Sequence, residues 1–174
     1  RHGTISREST RRVSLDTPFQ IASLTKIFTA LLLSDAVMRG ELALDDELAA
    51  HLPVNAPRFG ARAITLLDLA THTSGLPLRP PSRVDRSQDN PYAGYTHEDL
   101  RADIEATTLG RAPGAAFEYS NYGFALLGAA LNTRLVKPYA DVLQERVLAP
   151  LRMRATTLAP SAAMRSRFIQ GYNT

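Results

Sequence analysis

A chain of 174 residues that is 44% apolar carries enough hydrophobic side chain for one good core. Its net charge of +3 is mild, and the most basic cluster, Arg7, Arg11 and Arg12, lacks interleaved aromatics, which argues against a nucleic-acid partner. The absence of cysteine rules out disulfides, thiol catalysis and cysteine-ligated metal, and no stretch reaches the roughly 18 uninterrupted apolar residues of a membrane span.

In chain order, residues 1–22 read as extended. Thr4-Ile5-Ser6 and Arg12-Val13-Ser14-Leu15 are short alternating stretches, Asp16-Thr17-Pro18 is a turn, and two such fragments need partners from elsewhere. Over 27–38 apolar residues cover nearly the whole circumference of a helix, which predicts a helix buried inside its domain, with Ser23 at its mouth and Gly40 as its stop. Residues 41–48 read as a turn and a short helical turn, and 53–57 as loop. Thr65 caps a helix through Leu66, Leu67, Leu69 and Ala70 that ends at Thr71-His72-Thr73-Ser74-Gly75.

Residues 78–95 predict a long irregular loop, in which Tyr92 and Tyr95 are candidates for a substrate rim. Thr96-His97-Glu98-Asp99 has capping-box form and opens a helix through Leu100 and Ile104. After the Pro113-Gly114 turn, Phe117-Glu118-Tyr119-Ser120-Asn121 leads into an apolar helix with Phe124, Leu126, Leu127, Ala130 and Leu131. Pro138 suits the first position of a further helix through Val142, Leu143 and Val147. The division is therefore an N-terminal extended portion, 1–22, and a mostly helical domain, 23–174.

Ser23 and Lys26 stand one helical turn apart, so their side chains share a face. A serine hydroxyl becomes a good nucleophile when a neighbouring base takes its proton, and a lysine serves once burial or the helix dipole lowers its pKa. Of the 20 cationic side chains only Lys26 and Lys137 are lysines; arginine could not act as that base. The alternative is an N-cap serine followed by an exposed first-turn lysine.

Tyr119-x-Asn121 is weaker alone, since Tyr119 could be a packed aromatic and Asn121 a helix N-cap. Beside a lysine ammonium, however, a phenolate is favoured and can shuttle protons, while an asparagine amide can hold both the lysine and a substrate carbonyl. His72 sits at a helix end, where a capping or turn role is expected. The four histidines, His2, His51, His72 and His97, show no metal-ligand spacing, so neither a metal nor another cofactor is expected. No G-x-S-x-G elbow and no glycine-rich phosphate loop occurs.

These residues resemble the class C β-lactamase family of serine hydrolases, with its D-Ala-D-Ala peptidase and family VIII esterase relatives. The likeness is carried by Phe19-Gln20-Ile21-Ala22-Ser23-Leu24-Thr25-Lys26, by Ile64-Thr65-Leu66-Leu67-Asp68-Leu69-Ala70-Thr71-His72-Thr73-Ser74-Gly75-Leu76-Pro77, by Pro113-Gly114 through Tyr119-Ser120-Asn121, and by Pro150-Leu151-Arg152-Met153. It runs from about residue 13 to 172.

The resemblance implies an α+β fold of the β-lactamase/transpeptidase type: a helical domain set against an antiparallel α/β domain that includes the N-terminal strand. It implies Ser23 as the acylated nucleophile, Lys26 as its activating partner, Tyr119 as general base and acid, and Asn121 as a lysine and substrate contact. The oxyanion would be held by the Ser23 N–H and a second N–H from a sheet strand.

The sequence departs from the family pattern in three places. The family's Lys-Thr-Gly or His-Thr-Gly triplet does not occur before Thr174, so the chain is expected to hold only part of the fold, without its C-terminal portion. Where class C β-lactamases place a glutamine that contacts the antibiotic side chain, this sequence has Arg79, a candidate substrate contact that shifts the reading toward peptidase or esterase. Arg152 replaces a frequent glycine and is expected to be neutral.

The expected partner is a small β-lactam, an ester or a peptidoglycan peptide. That chemistry implies a periplasmic or secreted protein, the cytoplasm being the alternative. The rival to an enzyme is a non-catalytic homologue that binds cell-wall peptide or assembles as a scaffold.

Overall fold

The computed structural model describes residues 2–83 and 92–171. Six helices, Thr25–Met38 (α1), Leu66–Ala70 (α2), His97–Ala106 (α3), Asn121–Leu135 (α4), Tyr139–Leu143 (α5) and Ala162–Arg165 (α6), carry most of the regular structure among these residues. Strands Arg58–Phe59 (β1) and Arg62–Ala63 (β2) form a small antiparallel hairpin, with Arg58 opposite Ala63 and Phe59 opposite Arg62. Gly60 turns the hairpin at φ +58°, in the left-handed region that glycine adopts without a Cβ penalty. Two-residue strands give too little alternation to be read from sequence, and this hairpin was not expected.

The core is organised on α4. Tyr122, Leu126, Leu127, Ala130 and Leu131 are inaccessible to solvent and join Leu66 and Leu69 of α2, Ile64, Leu48 and Ile104 in one cluster. Each such leucine contributes roughly 1.5–3 kcal/mol by leaving water. Helix starts follow their capping residues. Thr65 and Thr96 each form a reciprocal capping box, with Asp68 and Asp99 respectively, as the sequence indicated. Asp68 is buried, accepts from the Thr65 N–H and Oγ1 at 2.8 and 2.7 Å, and pairs with Arg62 at 2.9 Å.

Three expectations need correction. Among the described residues α1 is covered on one side only: Thr29, Leu32, Leu33 and Ala36 form its buried stripe, whereas Ile27 and Met38 are 56% and 89% exposed. One side packs on α4, α5 and the π-type turn Gln144–Leu148; the apolar flank turned away from them is exposed. Pro138 stands just before α5 as its N-cap, after Val136 has closed α4 in a left-handed conformation. Arg152, expected to be neutral, has φ +57°, where a glycine would sit without strain.

The N-terminal fragments form one antiparallel bridge, Thr4 to Arg12, rather than a regular strand. Their outside partners are 169–170: the Ile169 and Gln170 N–H groups donate to the carbonyls of Pro18 and Ile5 at 3.0 and 2.8 Å. Of the expected 78–95 loop, residues 84–91 lie outside the described residues. Its two feet meet on Asp103 of α3, a buried carboxylate that accepts from the Ser82 N–H and Oγ at 3.0 and 2.7 Å and from the Tyr95 hydroxyl at 2.7 Å.

Candidate active site

Ser23 lies in a 3-10 turn, Ala22–Leu24, that runs directly into α1, which places its side chain and that of Lys26 on adjoining turns. The residue before it, Ala22, has φ +46°, an uncommon conformation for a residue with a Cβ and one that costs of order 1 kcal/mol. Ser23 is exposed and Lys26 half-buried. The Lys26 ammonium donates to Asn121 Oδ1 at 2.7 Å and, more weakly, to Ser23 Oγ at 3.4 Å. It also lies 4.8 Å from the centroid of the Tyr119 ring.

The Tyr119 hydroxyl donates to Ser23 Oγ at 2.8 Å, across 96 residues of sequence. Hydrogen bonding from Lys26, then contact with Ser23, holds this phenol below the usual tyrosine range of about 10, which favours a form able to accept a proton.

Tyr119 and Asn121 are delivered by a strap, residues 111–121, sewn onto the 72–78 segment. The Gly114 N–H donates to the Thr73 carbonyl at 2.8 Å and that of Glu118 to His72 at 2.7 Å; Asn121 and Tyr122 both donate to the Leu78 carbonyl. At Gly75, φ is +76° and an added Cβ would stand 3.0 Å from the Arg111 carbonyl, so the two segments approach closely only because this residue is glycine.

Ser120, rather than Asn121, caps α4. Its Oγ accepts from the Gly123 N–H at 2.8 Å and donates to the Pro77 carbonyl at 2.6 Å. A serine three residues before Gly123 was the available signal for this cap. The Asn121 side chain is thereby left for Lys26.

His72 lies under the strap. Its ring centroid is 4.5 Å from that of Tyr119, 4.9 Å from Phe124 and 5.7 Å, edge-on, from Phe117. Its position at a helix end matched expectation; these neighbours carried no sequence signal.

Arg79 follows Leu78, so its backbone is placed beside the start of α4. Its charge opposes the rise that burial imposes on the Tyr92 hydroxyl. The groove itself encloses about 1550 Å³ and is lined by Ser23, Lys26, Tyr92, Asn121, Phe124 and Tyr139 among others. Tyr92 and Tyr95 both line it. Among the described residues no group of three or more histidines and carboxylates is placed to hold a metal ion.

A helical lobe with a helix-borne serine and lysine faced by a tyrosine is the form of a serine β-lactamase-like protein, and the sequence profile of the Beta-lactamase family matches residues 1–174. The chain belongs to that family. It is 36% identical over 152 residues to the D-alanyl-D-alanine-carboxypeptidase/endopeptidase AmpH of Escherichia coli K12, covering 86% of this chain and 39% of that protein. It is 29% identical over 173 residues to a β-lactamase of Providencia stuartii, covering 99% of this chain and 42% of the relative.

Among solved structures, a β-lactamase/D-alanine carboxypeptidase from Yersinia pestis in complex with citrate superimposes with a TM-score of 0.90 at 32% identity, over 97% of this chain and 48% of the other. A class C β-lactamase gives 0.83 at 29% identity, over 99% and 45%. The fold is therefore the β-lactamase fold, and the chain spans less than half the length of these relatives.

Proposed function

We propose that the protein is a serine hydrolase that forms an acyl-enzyme on Ser23, with a peptidoglycan D-Ala-D-Ala peptide or a β-lactam as acyl donor. The observation that carries this reading is the 2.8 Å contact between Tyr119 and Ser23 beside the Lys26 ammonium. Tyr119, its phenolate favoured by Lys26, takes the Ser23 proton as Oγ attacks the carbonyl carbon. The oxyanion forms against the Ser23 N–H, with a second donor assigned by resemblance to a sheet strand. Tyr119 then returns the proton to the leaving nitrogen as the C–N bond breaks, and water, activated in the same way, releases the acyl group.

Asn121 has its amide oxygen on Lys26 and its side chain also acts on the Tyr92 hydroxyl, so a substrate carbonyl would meet the NH₂ beside Tyr92. Arg79, whose charge acts on the Tyr92 hydroxyl, favours a donor that carries a carboxylate, which both the peptide and a β-lactam present. The export implied by such substrates places the protein in the periplasm or outside the cell.

The test is covalent labelling of the full-length protein with a penicillin, a boronic acid and a fluorophosphonate, followed by peptide mass mapping. An adduct on Ser23 that disappears in Ser23→Ala is expected. No adduct with any of the three would overturn the enzyme reading in favour of a binding homologue.

A further inference from the structure

We propose that His72 is a positioning residue for Tyr119: its imidazole, held neutral and acting as an acceptor, keeps the 117–121 strap seated against Lys26. The proposal rests on the reading of Tyr119 as general base.

A turn at the end of α2 needs only a residue that tolerates φ +59°, and glycine or asparagine would serve. The histidine does more. Its Nδ1 accepts the Ser120 N–H at 3.0 Å, its ring underlies Tyr119 and Phe124, its edge meets Phe117, and its carbonyl accepts the Glu118 N–H. One residue thus touches 117, 118, 119, 120 and 124, and no other contact from the 72–78 segment reaches the Tyr119 ring among those described. Removing the ring would leave the phenol held through Ser23 and Lys26, with nothing from the 72–78 segment beneath it.

The accepting role fixes the tautomer. Nδ1 can take the Ser120 N–H only if it is bare, so the single proton is on Nε2. A second proton would turn the acceptor into a donor pointed at another donor. The charged and titratable groups on the elements packed around His72 are Lys26 from α1, Tyr119, and the Glu118–Arg111 ion pair of the strap. Burial, and then the charge of Lys26, hold the imidazole below its ordinary value near 6.5. Lys26 thus has two effects in one direction: it favours the phenolate of Tyr119 and disfavours the imidazolium beneath it.

The unfolded chain takes up a proton near pH 6.5 before the folded one does, so the stability that the neutral seat contributes is lost as pH falls from that value, and the seat itself is protonated only as pH passes the lower folded one. An acidic limb in the acylation rate that disappears in His72→Gln then reports His72 leaving its acceptor state, as distinct from protonation of Tyr119.

The experiment compares wild type, His72→Gln and His72→Phe in the full-length protein. Acylation by a fluorescent penicillin is followed across pH 4–8, and the Ser120 amide resonance is titrated by ¹⁵N NMR without substrate. In wild type the Ser120 amide should titrate with a midpoint below 6.5 that coincides with the His72 ring. His72→Gln, which keeps an acceptor but cannot titrate, should acylate within about tenfold of wild type at pH 7 and lose the inflection.

His72→Phe keeps the stacking without the acceptor and should lose roughly 10- to 100-fold at pH 7, in kcat more than in KM. A Ser120 amide indifferent to the His72 titration, or His72→Phe at wild-type rate, overturns the proposal. A protein with no adduct on Ser23 removes the hydrolase reading instead, and the amide titration still decides the role of His72.

Discussion

The two halves of the candidate site are built in opposite ways. Ser23 and Lys26 share one helix entrance, so their proximity follows from local helical geometry and nothing else in the chain has to be right for them to meet. Tyr119 and Asn121 arrive on a strap whose course depends on His72, Thr73, Gly75, Pro77 and Leu78, each contributing a hydrogen bond or a close approach. The first half is robust to packing errors and sensitive to chemistry; the second is sensitive to packing.

Substitutions can break or sharpen that contrast. The largest effect is expected on the helical side: Lys26→Arg keeps the charge but replaces the compact ammonium with a planar fork that cannot hold Asn121, Ser23 and the Tyr119 ring in the same geometry, and acylation should fall roughly 10²- to 10⁴-fold while the melting temperature barely moves. Retention of the rate, followed by stopped-flow fluorescence, would show that the amine acts only as a charge. On the strap side, Ser120→Ala removes the α4 cap and leaves the Pro77 carbonyl without its donor. Denaturant titration should record a loss of about 2–3 kcal/mol, with acylation reduced in proportion to strap displacement.

Gly75→Ala should cost about 1–2 kcal/mol, since the new Cβ meets the Arg111 backbone in a left-handed conformation. Lys26→Met should let the Tyr119 hydroxyl titrate closer to its ordinary value of 10, read by ultraviolet difference absorbance against a Tyr119→Phe blank. An unmoved titration would detach the two halves. The smallest effect belongs to a residue outside both: Arg152→Gly relieves a positive φ and should raise stability by under about 1 kcal/mol.

What could be read in the chain follows the same division. The Ser23–Lys26 spacing, the Thr65 and Thr96 caps and the apolar run of α4 are local patterns, and they were legible. That α1 has an exposed apolar flank was not, because an all-round apolar helix says nothing about how many neighbours it finds. The 58–63 hairpin was too short to leave a pattern. The positive φ of Ala22 and the ring cluster around His72 are products of tertiary contact, and neither residue type announces it. Tyr119 and Asn121 could be named through motif resemblance, and the Ser120 cap had a local signal, yet the ring contacts of His72 follow only from the folded structure.

Asp103 has a consequence of its own for how the groove could diversify. Because Ser82 and Tyr95 are moored to the same buried carboxylate, the insertion point for whatever lies between them is fixed at both feet. Exchange of Tyr92, which lies between those moorings and lines the groove, would alter the groove's border while Ser82 and Tyr95 stay tied to α3, much as a cartridge is swapped in a rigid housing. Asp103→Asn would loosen the housing itself, and a graft tolerated by the parent should then lower stability in the variant.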